Sequence, residues 1–550
     1  MLFRSVEVVS ASPDVHIRAM AEYALAEALV NSRETNALED ALQHFTIAIT
    51  LLGNEHPVER FHYLRSYGQA CMQFRRWRDA AAALETAIEL AKSSNILKFR
   101  REGLFREGDL SDCISSKAYC DLQLGRPLEA LVTLEGGREL KGNSHPPIDF
   151  RKIASKLDDE CLLVPIFSPV GCAVVVLRPD SHGIRHDVID LPQFDRMNAA
   201  LHPHYFPSHA GWLGWLNTWR HERSRAMLRT RMDSLEYLLQ ELWTQFLKPI
   251  LESPNNPLPR NLILIGHSGL QVLPVHAALL CGEGEETPRT SGYSLRFVQS
   301  LSAFERSCQL TNLSKESVLA LGLSHYRDVR LRRIALAEDE AALVLRRFSP
   351  SACLLLTGAE ATRKRLLAPI EEHGILHFAC HGTWNRNPEE SALQLWPEGR
   401  ARLSCLTARD IQRKINLSKA RLVILSACDS GVVEHMFAPD ELAGLSGALL
   451  RAGADQVACS LWAVNDVASI FLWDHFYTCL AEGEAPNRAL SHAQAHLRNL
   501  TVRSIRLFVE GDNFSLASTA RILSIAGDLP DDARPFHHPL YWAPFVLYGA

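Results

Sequence analysis

The chain has 550 residues, a net charge of −5 from 58 basic and 63 acidic residues, and a hydrophobic fraction of 47%. This length predicts more than one domain, and the balanced charge argues against a protein that binds nucleic acid directly. Apolar runs of about 18 residues are absent, which argues against membrane-spanning helices and membrane partners. Thirteen cysteines without a CxxC pair, and a start without a signal peptide's apolar segment, predict a cytoplasmic protein without structural zinc or cofactor.

Residues 1–145 carry helical spacing of small and apolar residues. Gly68 and Ala80 are small at positions where two helices would cross, and similar patterns recur around Ala41 and Ala130. The pattern resembles tetratricopeptide helical hairpins, although the three alanines lie 39 and 50 residues apart instead of about 34. An irregular helical bundle is the alternative. Either arrangement offers a helical surface to a protein partner.

A domain boundary is predicted at residues 141–148, where glycine, asparagine, serine and two prolines cluster. Beyond it, residues 162–167 and 173–177 have the composition of two strands joined as a hairpin. Residues 205–251 have mainly helical spacing, and residues 262–265 form another short apolar strand. The sequence thus changes from all-helical to mixed α/β.

The segment Gly266-His267-Ser268-Gly269 follows that last strand. It is similar to the nucleophile elbow of serine hydrolases, in which a serine lies on a sharp turn between strand and helix. Leu270, however, occupies the place of the second glycine of the G-x-S-x-G pattern. We therefore treat the similarity as a chance match.

Strand and helix patterns alternate regularly from residue 318 onwards. Such alternation predicts a parallel sheet covered by helices, with right-handed connections. The predicted strands cover residues 318–323, 353–356, 375–379, 422–425 and 455–461, and the predicted helices cover residues 338–347, 362–367, 407–414 and 440–452.

Two of these strands each deliver one reactive side chain. His381 follows the strand at 375–379, and Cys428 follows the strand at 422–425. Reacting groups collect at the carboxyl ends of parallel strands, and the 47 residues between the two are enough for a crossover connection. The sequence therefore predicts that the imidazole and the thiol lie close together.

An imidazole beside a thiol gives a nucleophile for acyl transfer. A free thiol with a pKa of about 8.5 is mostly protonated near neutral pH, so His381 would take its proton and later return it to the leaving amine. Backbone N–H groups of Gly382 and Cys428 are candidates for holding the developing oxyanion. The alternative is a structural cysteine buried beside a histidine.

The second half of the chain resembles the CHAT domain, a caspase-like group of clan CD cysteine peptidases often fused to tetratricopeptide repeats. The resemblance covers about residues 155–550 and includes an upstream block at 262–277 and 297–302. Its motifs are HFACHG from His377, LVILSACDSG from Leu422, DELAGLSGALLRAGADQVACSLWAVND from Asp440 and HPLYWAPFVLYG from His538.

This resemblance implies a caspase-like αβα sandwich with a mostly parallel sheet, preceded by an all-α domain of tetratricopeptide type. It also implies peptide-bond hydrolysis, with His381 as the catalytic histidine and Cys428 as the nucleophile. Ser426 stands where caspases carry glutamine, which argues against transferring the caspase preference for aspartate. Residues 501–535 look like an insertion before the last strand. Neither departure removes the dyad.

Other residues near the strand ends are candidates for substrate binding. Trp384 and Trp462 would line a cleft or pack in the core, and Asp429 would orient the site or cap a helix. Asp466 would receive a basic substrate side chain through charge-assisted hydrogen bonds, or cap the helix that follows it. Cys380 is predicted to be a core thiol, because neighbours along a strand point to opposite faces.

These expectations combine into one functional hypothesis. Residues 1–145 would form a regulatory arm, and residues 146–550 the peptidase, with an upstream half at 155–310 and a catalytic half at 311–550. An activating protein or complex on the arm would rearrange loops beside the dyad, so that a protein substrate is cleaved. The resemblance implies a role in bacterial defence or programmed death. A catalytically silent CHAT scaffold that binds protein partners is the alternative.

Overall fold

A computed structural model describes most of the chain. Four of the predicted residues, Ser268, Trp384, Cys428 and Asp429, lie outside the described residues. The described ranges are 12–32, 37–93, 107–139, 147–181, 183–191, 225–253, 257–266, 270–280, 293–306, 313, 315–383, 385, 387–427, 444–512 and 514–549.

The amino-terminal region is all-helical, as the sequence predicts. Its helices pack as three successive pairs, α1 with α2, α3 with α4 and α5 with α6. Their bounds are Val15–Ser32 (α1), Ala37–Leu52 (α2), Pro57–Gln73 (α3), Trp77–Ser93 (α4), Glu107–Gln123 (α5) and Pro127–Glu139 (α6).

Small residues allow the close approach within these pairs. Ala41, Ala80 and Ala130 are fully buried near the start of the second helix of each pair. A methyl group on Gly68 would lie only 2.7 Å from the Leu84 side chain, so a larger residue would push the two helices apart. The predicted helical hairpins are therefore present despite their irregular spacing.

The described part of the chain contains fourteen strands. Their bounds are Glu160–Ser168 (β1), Gly171–Asp180 (β2), Gly183–Leu191 (β3), Asn261–Ile265 (β4), Ser294–Val298 (β5), Val318–Gly322 (β6), Cys353–Thr357 (β7), Ile375–Ala379 (β8), Gly382–Thr383 (β9), Ala392–Leu395 (β10), Ser404–Thr407 (β11), Leu422–Ser426 (β12), Gln456–Ser460 (β13) and Phe545–Gly549 (β14).

Eleven strands form one sheet in the order β3-β2-β1-β4-β5-β14-β13-β12-β8-β6-β7. The pairings of β2 with β1 and β3, and of β13 with β14, are antiparallel, and the other pairings are parallel. Strands β9 to β11 form a separate three-stranded sheet beside the end of β8. The predicted mostly parallel sheet is confirmed.

Helices connect and cover the strands. The helix Asp466–Ala481 packs against both Ala337–Leu345, which lies on β6 to β8, and Pro486–Asn499, which lies on β5. The helix Ala408–Lys414 packs against Gly444–Arg451, which lies on β13. The bounds of the helices are Phe150–Lys156 (α7), Arg225–Glu241 (α8), Lys248–Leu251 (α9), Val275–Leu280 (α10), Leu301–Arg306 (α11), Ala337–Leu345 (α12), Arg363–Leu367 (α13), Ala408–Lys414 (α14), Gly444–Arg451 (α15), Asp466–Ala481 (α16), Pro486–Asn499 (α17), Val502–Gly511 (α18), Leu516–Leu523 (α19) and Pro539–Trp542 (α20).

Irregular helical turns complete the fold. Residues Leu242–Leu247 form a π-helical turn that joins α8 to α9. Short 3-10 turns occur at Leu270–Val272, Pro350–Ala352, Gly358–Glu360, Pro369–Glu371 and Pro388–Glu390.

The helical arm shares a hydrophobic core with one end of the sheet. Apolar residues of β1, β2 and β4, such as Val164 and Ile263, belong to the same buried cluster as the arm helices. The buried Glu135 carboxylate accepts hydrogen bonds from the N–H groups of Leu301 (3.0 Å) and Ser302 (3.2 Å) at the start of α11. The arm therefore stabilises the sheet directly.

Candidate active site

The register of two neighbouring strands sets the geometry of the predicted dyad. Strands β8 and β12 are parallel and buried, and Ala379 pairs with Ser426 at their carboxyl ends. His381 comes two residues after Ala379, and Cys428 comes two residues after Ser426. The predicted base and nucleophile therefore follow paired strand ends at the same distance along the chain. Cys428 itself lies beyond the last described residue after its strand.

The backbone of His381 is held on both sides. Its N–H donates to the Tyr326 hydroxyl at 2.7 Å, and its carbonyl accepts from the Gln394 N–H at 2.8 Å. The Tyr326 and His381 rings also contact each other, with centroids 4.9 Å apart. These contacts hold the histidine at the edge of the sheet.

The His381 imidazole has a defined hydrogen-bond partner. Its Nε2 lies 2.6 Å from the carbonyl oxygen of Arg332. A carbonyl only accepts, so Nε2 carries the proton and, in the neutral ring, Nδ1 is the basic atom. Burial lowers the pKa of His381, and the Arg332 carbonyl only partly opposes this effect. Near neutral pH the ring is therefore predominantly a neutral base.

Tyr326 and Arg332 belong to the loop between β6 and α12. Within this loop the Arg330 side chain pairs with Asp328 at 2.6 Å and lowers the pKa of that carboxyl to about 2. No motif in the sequence indicated Tyr326 and Arg332. Their placement after β6 was the available signal, because β6 neighbours β8 and its carboxyl end lies at the same edge of the sheet.

The end of β12 is anchored up to the residue before Cys428. The Ser460 hydroxyl donates to the carbonyl oxygen of Ala427 at 2.7 Å. The indole N–H of Trp473 in α16 donates to the Ser426 hydroxyl at 3.1 Å. Ser426, the residue that departs from the caspase pattern, thus serves as a hydrogen-bond partner for the helix behind the sheet.

A buried polar group lies on β8 itself. His377 is fully buried, with Nε2 2.9 Å from Glu340 Oε1 and Nδ1 3.2 Å from the Tyr477 hydroxyl. Cys380 is also fully buried, and burial raises the pKa of its thiol to about 12. The prediction that Cys380 is a core thiol is confirmed.

Asp466 begins α16, at the carboxyl end of β13. Its carboxylate pairs with Arg521 of α19, with Oδ1 2.5 Å from an Arg521 guanidinium nitrogen. The capping residue is the preceding Asn465, whose side chain accepts from the N–H groups of Val467 and Ala468. Asp466 is therefore an ion-paired residue of the first helical turn, and the predicted capping role belongs mainly to its neighbour.

The remaining predicted residues take different positions. Gly382 starts β9 directly after His381, as an oxyanion donor at that end of the sheet would require, and pairs with Leu393 of β10. Trp462 is fully buried, and its indole donates to the Leu540 carbonyl at 3.0 Å. In this structure Trp462 packs in the core and offers no surface to a substrate, which agrees with the second of its two predicted roles.

Comparisons with known proteins relate this architecture to described families. The family model described as the CHAT domain matches residues 236–550. Tetratricopeptide repeat protein 28 of Mus musculus is 24% identical over 247 residues, covering 39% of this chain and 8% of that protein. The chain thus spans a small part of this curated relative.

One solved structure shares the fold at low sequence identity. The separase–securin complex of Saccharomyces cerevisiae matches with a TM-score of 0.54 and 10% identity, covering 100% of this chain and 45% of that one. The Arg-specific cysteine proteinase gingipain R matches with a TM-score of 0.34 and 10% identity, covering 58% of this chain and 67% of that one. The expected fold, a helical domain followed by a caspase-like αβα sandwich, is confirmed. None of the helices in the described ranges is long and apolar enough to cross a membrane.

Proposed function

The chain belongs to the CHAT-domain family, and from this membership we propose that it is a cysteine endopeptidase acting through His381 and Cys428. The observation that carries the proposal is the oriented imidazole at the end of β8, in step with the strand that leads to Cys428. A nucleophile, a base and a third group that orients the base form the usual arrangement of such enzymes. Here the Arg332 carbonyl is the orienting group.

The first chemical step is proton transfer. Because Nε2 of His381 donates to Arg332, Nδ1 is the atom that accepts the proton of the Cys428 thiol. The thiolate then attacks the carbonyl carbon of the scissile peptide bond. The imidazolium returns its proton to the leaving amine, and water hydrolyses the resulting thioester with His381 again as base.

The tetrahedral intermediate carries a negative oxygen that needs hydrogen-bond donors. Backbone N–H groups of Gly382 and Cys428 are the proposed donors, because each follows the end of a dyad strand in the sequence. Gly382 is fixed by its pairing with β10 and by the Gln394 bond to the preceding carbonyl. A donor on a fixed strand costs little reorganisation when the charge develops.

The substrate is proposed to be a second protein, and an activating protein or complex is proposed to bind the helical arm. The separase structure of similar fold is a complex with the protein securin, and the helical pairs offer a surface for comparable contacts. The arm packs on β1, β2 and β4 of the sheet that also carries the dyad strands. A conformational change caused by binding to the arm would reach the site through this sheet. A place in bacterial defence or programmed death follows from the family resemblance alone.

Selective labelling tests the proposal. A peptide electrophile should label the wild type at Cys428 and should not label this position in His381→Ala. Cys405→Ala is the matched control, because Cys405 is another partly accessible thiol in β11. Co-expression of wild type and Cys428→Ala with candidate partner proteins, followed by mapping of new amino termini, identifies the substrate. Equal labelling of Cys428 with and without His381, together with identical amino termini in the wild-type and Cys428→Ala strains, would favour the scaffold alternative.

A further inference from the structure

The closed end of the α16–α17 hairpin brings together three side chains of metal-ligand type. Helix α16 ends in a tight cap, in which Gly483 has φ +93° and its N–H donates to the Leu480 carbonyl at 3.0 Å. The next N–H, of Glu484, donates to the Cys479 carbonyl at 3.1 Å. This pair of bonds is the Schellman motif, and it folds residue 484 back over residue 479.

Helix α17 supplies the third side chain. The ligand atoms of Cys479, Glu484 and His492 all lie within 4.8 Å of one another. Glu484 Oε2 lies 2.8 Å from His492 Nδ1, yet the two groups are not aligned for a hydrogen bond. Among the described residues this buried oxygen has no hydrogen-bond partner.

We propose that Cys479, Glu484 and His492 bind one zinc ion. Thiolate, imidazole and carboxylate are all zinc ligands, and the metal–ligand distances of about 2.0–2.3 Å place the ligands of a tetrahedral site about 3.5 Å apart. The observed spacing therefore closes around zinc with small side-chain movements. The thiolate favours zinc over magnesium or calcium, which prefer oxygen ligands, and water would complete the coordination.

An ordinary ion pair does not account for the whole cluster. Pairing of His492 with Glu484 uses two of the three groups and leaves the Cys479 thiol beside a carboxylate. A bound cation would use all three groups, because a coordinated thiol is deprotonated and then carries a charge opposite to that of the metal. The spacing of cysteines along the sequence could not show the site, since it contains a single thiol.

The site lies away from the dyad but on the helix behind it. Cys479 is 13 residues after Asp466, or about 20 Å along α16. Tyr477, two residues before Cys479, contacts His377 of β8. Trp473, on the same helix, contacts Ser426 of β12. Zinc would thus fix the end of the helix that supports both dyad strands, and its removal should lower the unfolding temperature.

Titration with Co²⁺, followed by competition with Zn²⁺, tests the site on the full chain after chelator treatment. The Cys428→Ala background removes the candidate nucleophile, and no proteolysis is measured, so the result is independent of the proposed function. One equivalent of Co²⁺ should give a thiolate-to-metal absorption band that Zn²⁺ displaces. Cys479→Ser should abolish the band. His492→Asn and Glu484→Gln should each weaken binding by more than about tenfold, since loss of even an outer partner costs about 10–100-fold.

The matched control is His496→Asn, one helical turn from His492. The His496 ring stacks on His475, with centroids 4.0 Å apart, and lies outside the three-ligand cluster. This variant should keep the band and the affinity. If Cys479→Ser fails to fold, the metal affinity of His492→Asn still tests the site, because His492 is exposed. Equal metal affinity in His492→Asn, Glu484→Gln and wild type, or the absence of a thiolate band in wild type, would overturn the proposal.

Discussion

Asp466 and Arg521 form an ion pair across 55 residues of sequence, between the first turn of α16 and helix α19. Arg521 belongs to residues 501–535, the stretch that resembles an insertion. The sequence indicated that Asp466 either receives a basic substrate side chain or caps the helix that follows it. The structure shows that a basic side chain of the chain itself already occupies this carboxylate.

The first prediction concerns the replacement of Arg521. Its side chain is 39% exposed, and pairs of this kind contribute at most about 1 kcal/mol. If Asp466 selects a cationic substrate residue, Arg521→Ala should raise kcat/KM for cleavage after Arg or Lys by up to about fivefold. The matched control is Arg503→Ala, which removes a longer ion pair with Asp531 in the same stretch and should leave kcat/KM unchanged. Equal kcat/KM in Arg521→Ala and wild type would mean that Asp466 does not select the substrate.

Catalysis by the dyad gives the second prediction. Cys428→Ala and His381→Ala should each abolish cleavage and leave the fold intact. Because residues that act as a unit are non-additive, the double variant should be no less active than either single variant. The measurement is cleavage of an identified partner protein. Persistent cleavage by Cys428→Ala, free of other proteases, would exclude this mechanism.

Tyr326→Phe tests the positioning of His381. The change removes the hydroxyl that accepts the His381 N–H and retains the ring contact. One such hydrogen bond contributes about 0.5–1.5 kcal/mol, so kcat should fall by about two- to tenfold. The pH profile should keep its shape, because the hydroxyl contacts the backbone and not the imidazole. A shifted acid limb would instead mean that Tyr326 alters the titration of His381.

The acid limb of activity gives a further prediction. The pKa of His381 is lowered from 6.5, chiefly by burial. The active form has a neutral imidazole, so activity should be retained as pH falls to 6.5 and be lost only below it. Measurement of kcat/KM between about pH 4.5 and 8 locates this limb. A limb above that ordinary histidine value would contradict the buried, Arg332-bound state.

Stability should also fall with acid, through His276. This histidine is buried, its Nε2 lies 3.1 Å from the Ala543 carbonyl, and burial lowers its pKa to about 4. A lowered histidine pKa means that the unfolded chain binds the proton first. The contribution of His276 to the free energy of unfolding is therefore constant above about pH 6.5 and declines from there to about pH 4. Denaturant unfolding at about pH 7 and pH 5 should show a smaller difference in His276→Gln than in wild type.

Much of the sheet was predictable from the sequence, and its edges and long-range contacts were not. Buried strands such as β8 and β12 are short apolar runs, which local pattern reveals. The edge strand β3 was missed because most of its residues are exposed or half-buried and several of them are polar. The contacts of Tyr326 and Arg332 with His381 span about 50 residues, and no local periodicity carries such information.

Removal of the arm gives the last prediction. A chain starting near Pro147, after the predicted domain boundary, would fold alone only if the sheet had a core of its own. The face formed by β1, β2 and β4 is instead covered by arm helices, in one buried cluster that includes Ala130 and Val164. Each fully buried aliphatic side chain contributes about 1.5–3 kcal/mol. Exposing the apolar residues of this face would therefore cost more free energy than the usual stability of a folded domain.

Residues 147–550 alone should therefore aggregate or unfold at a lower temperature, measured by size-exclusion chromatography and thermal unfolding. A milder change tests the hydrogen bonds of Glu135 separately from the burial of the sheet by the arm. Glu135→Gln keeps the helix and weakens its hydrogen bonds to the start of α11, so it should lower the unfolding temperature modestly without causing aggregation. A truncated chain that is soluble and unfolds cooperatively at the wild-type temperature would show that the arm is an independent domain. In that case the arm could act on the dyad only through a partner that contacts both.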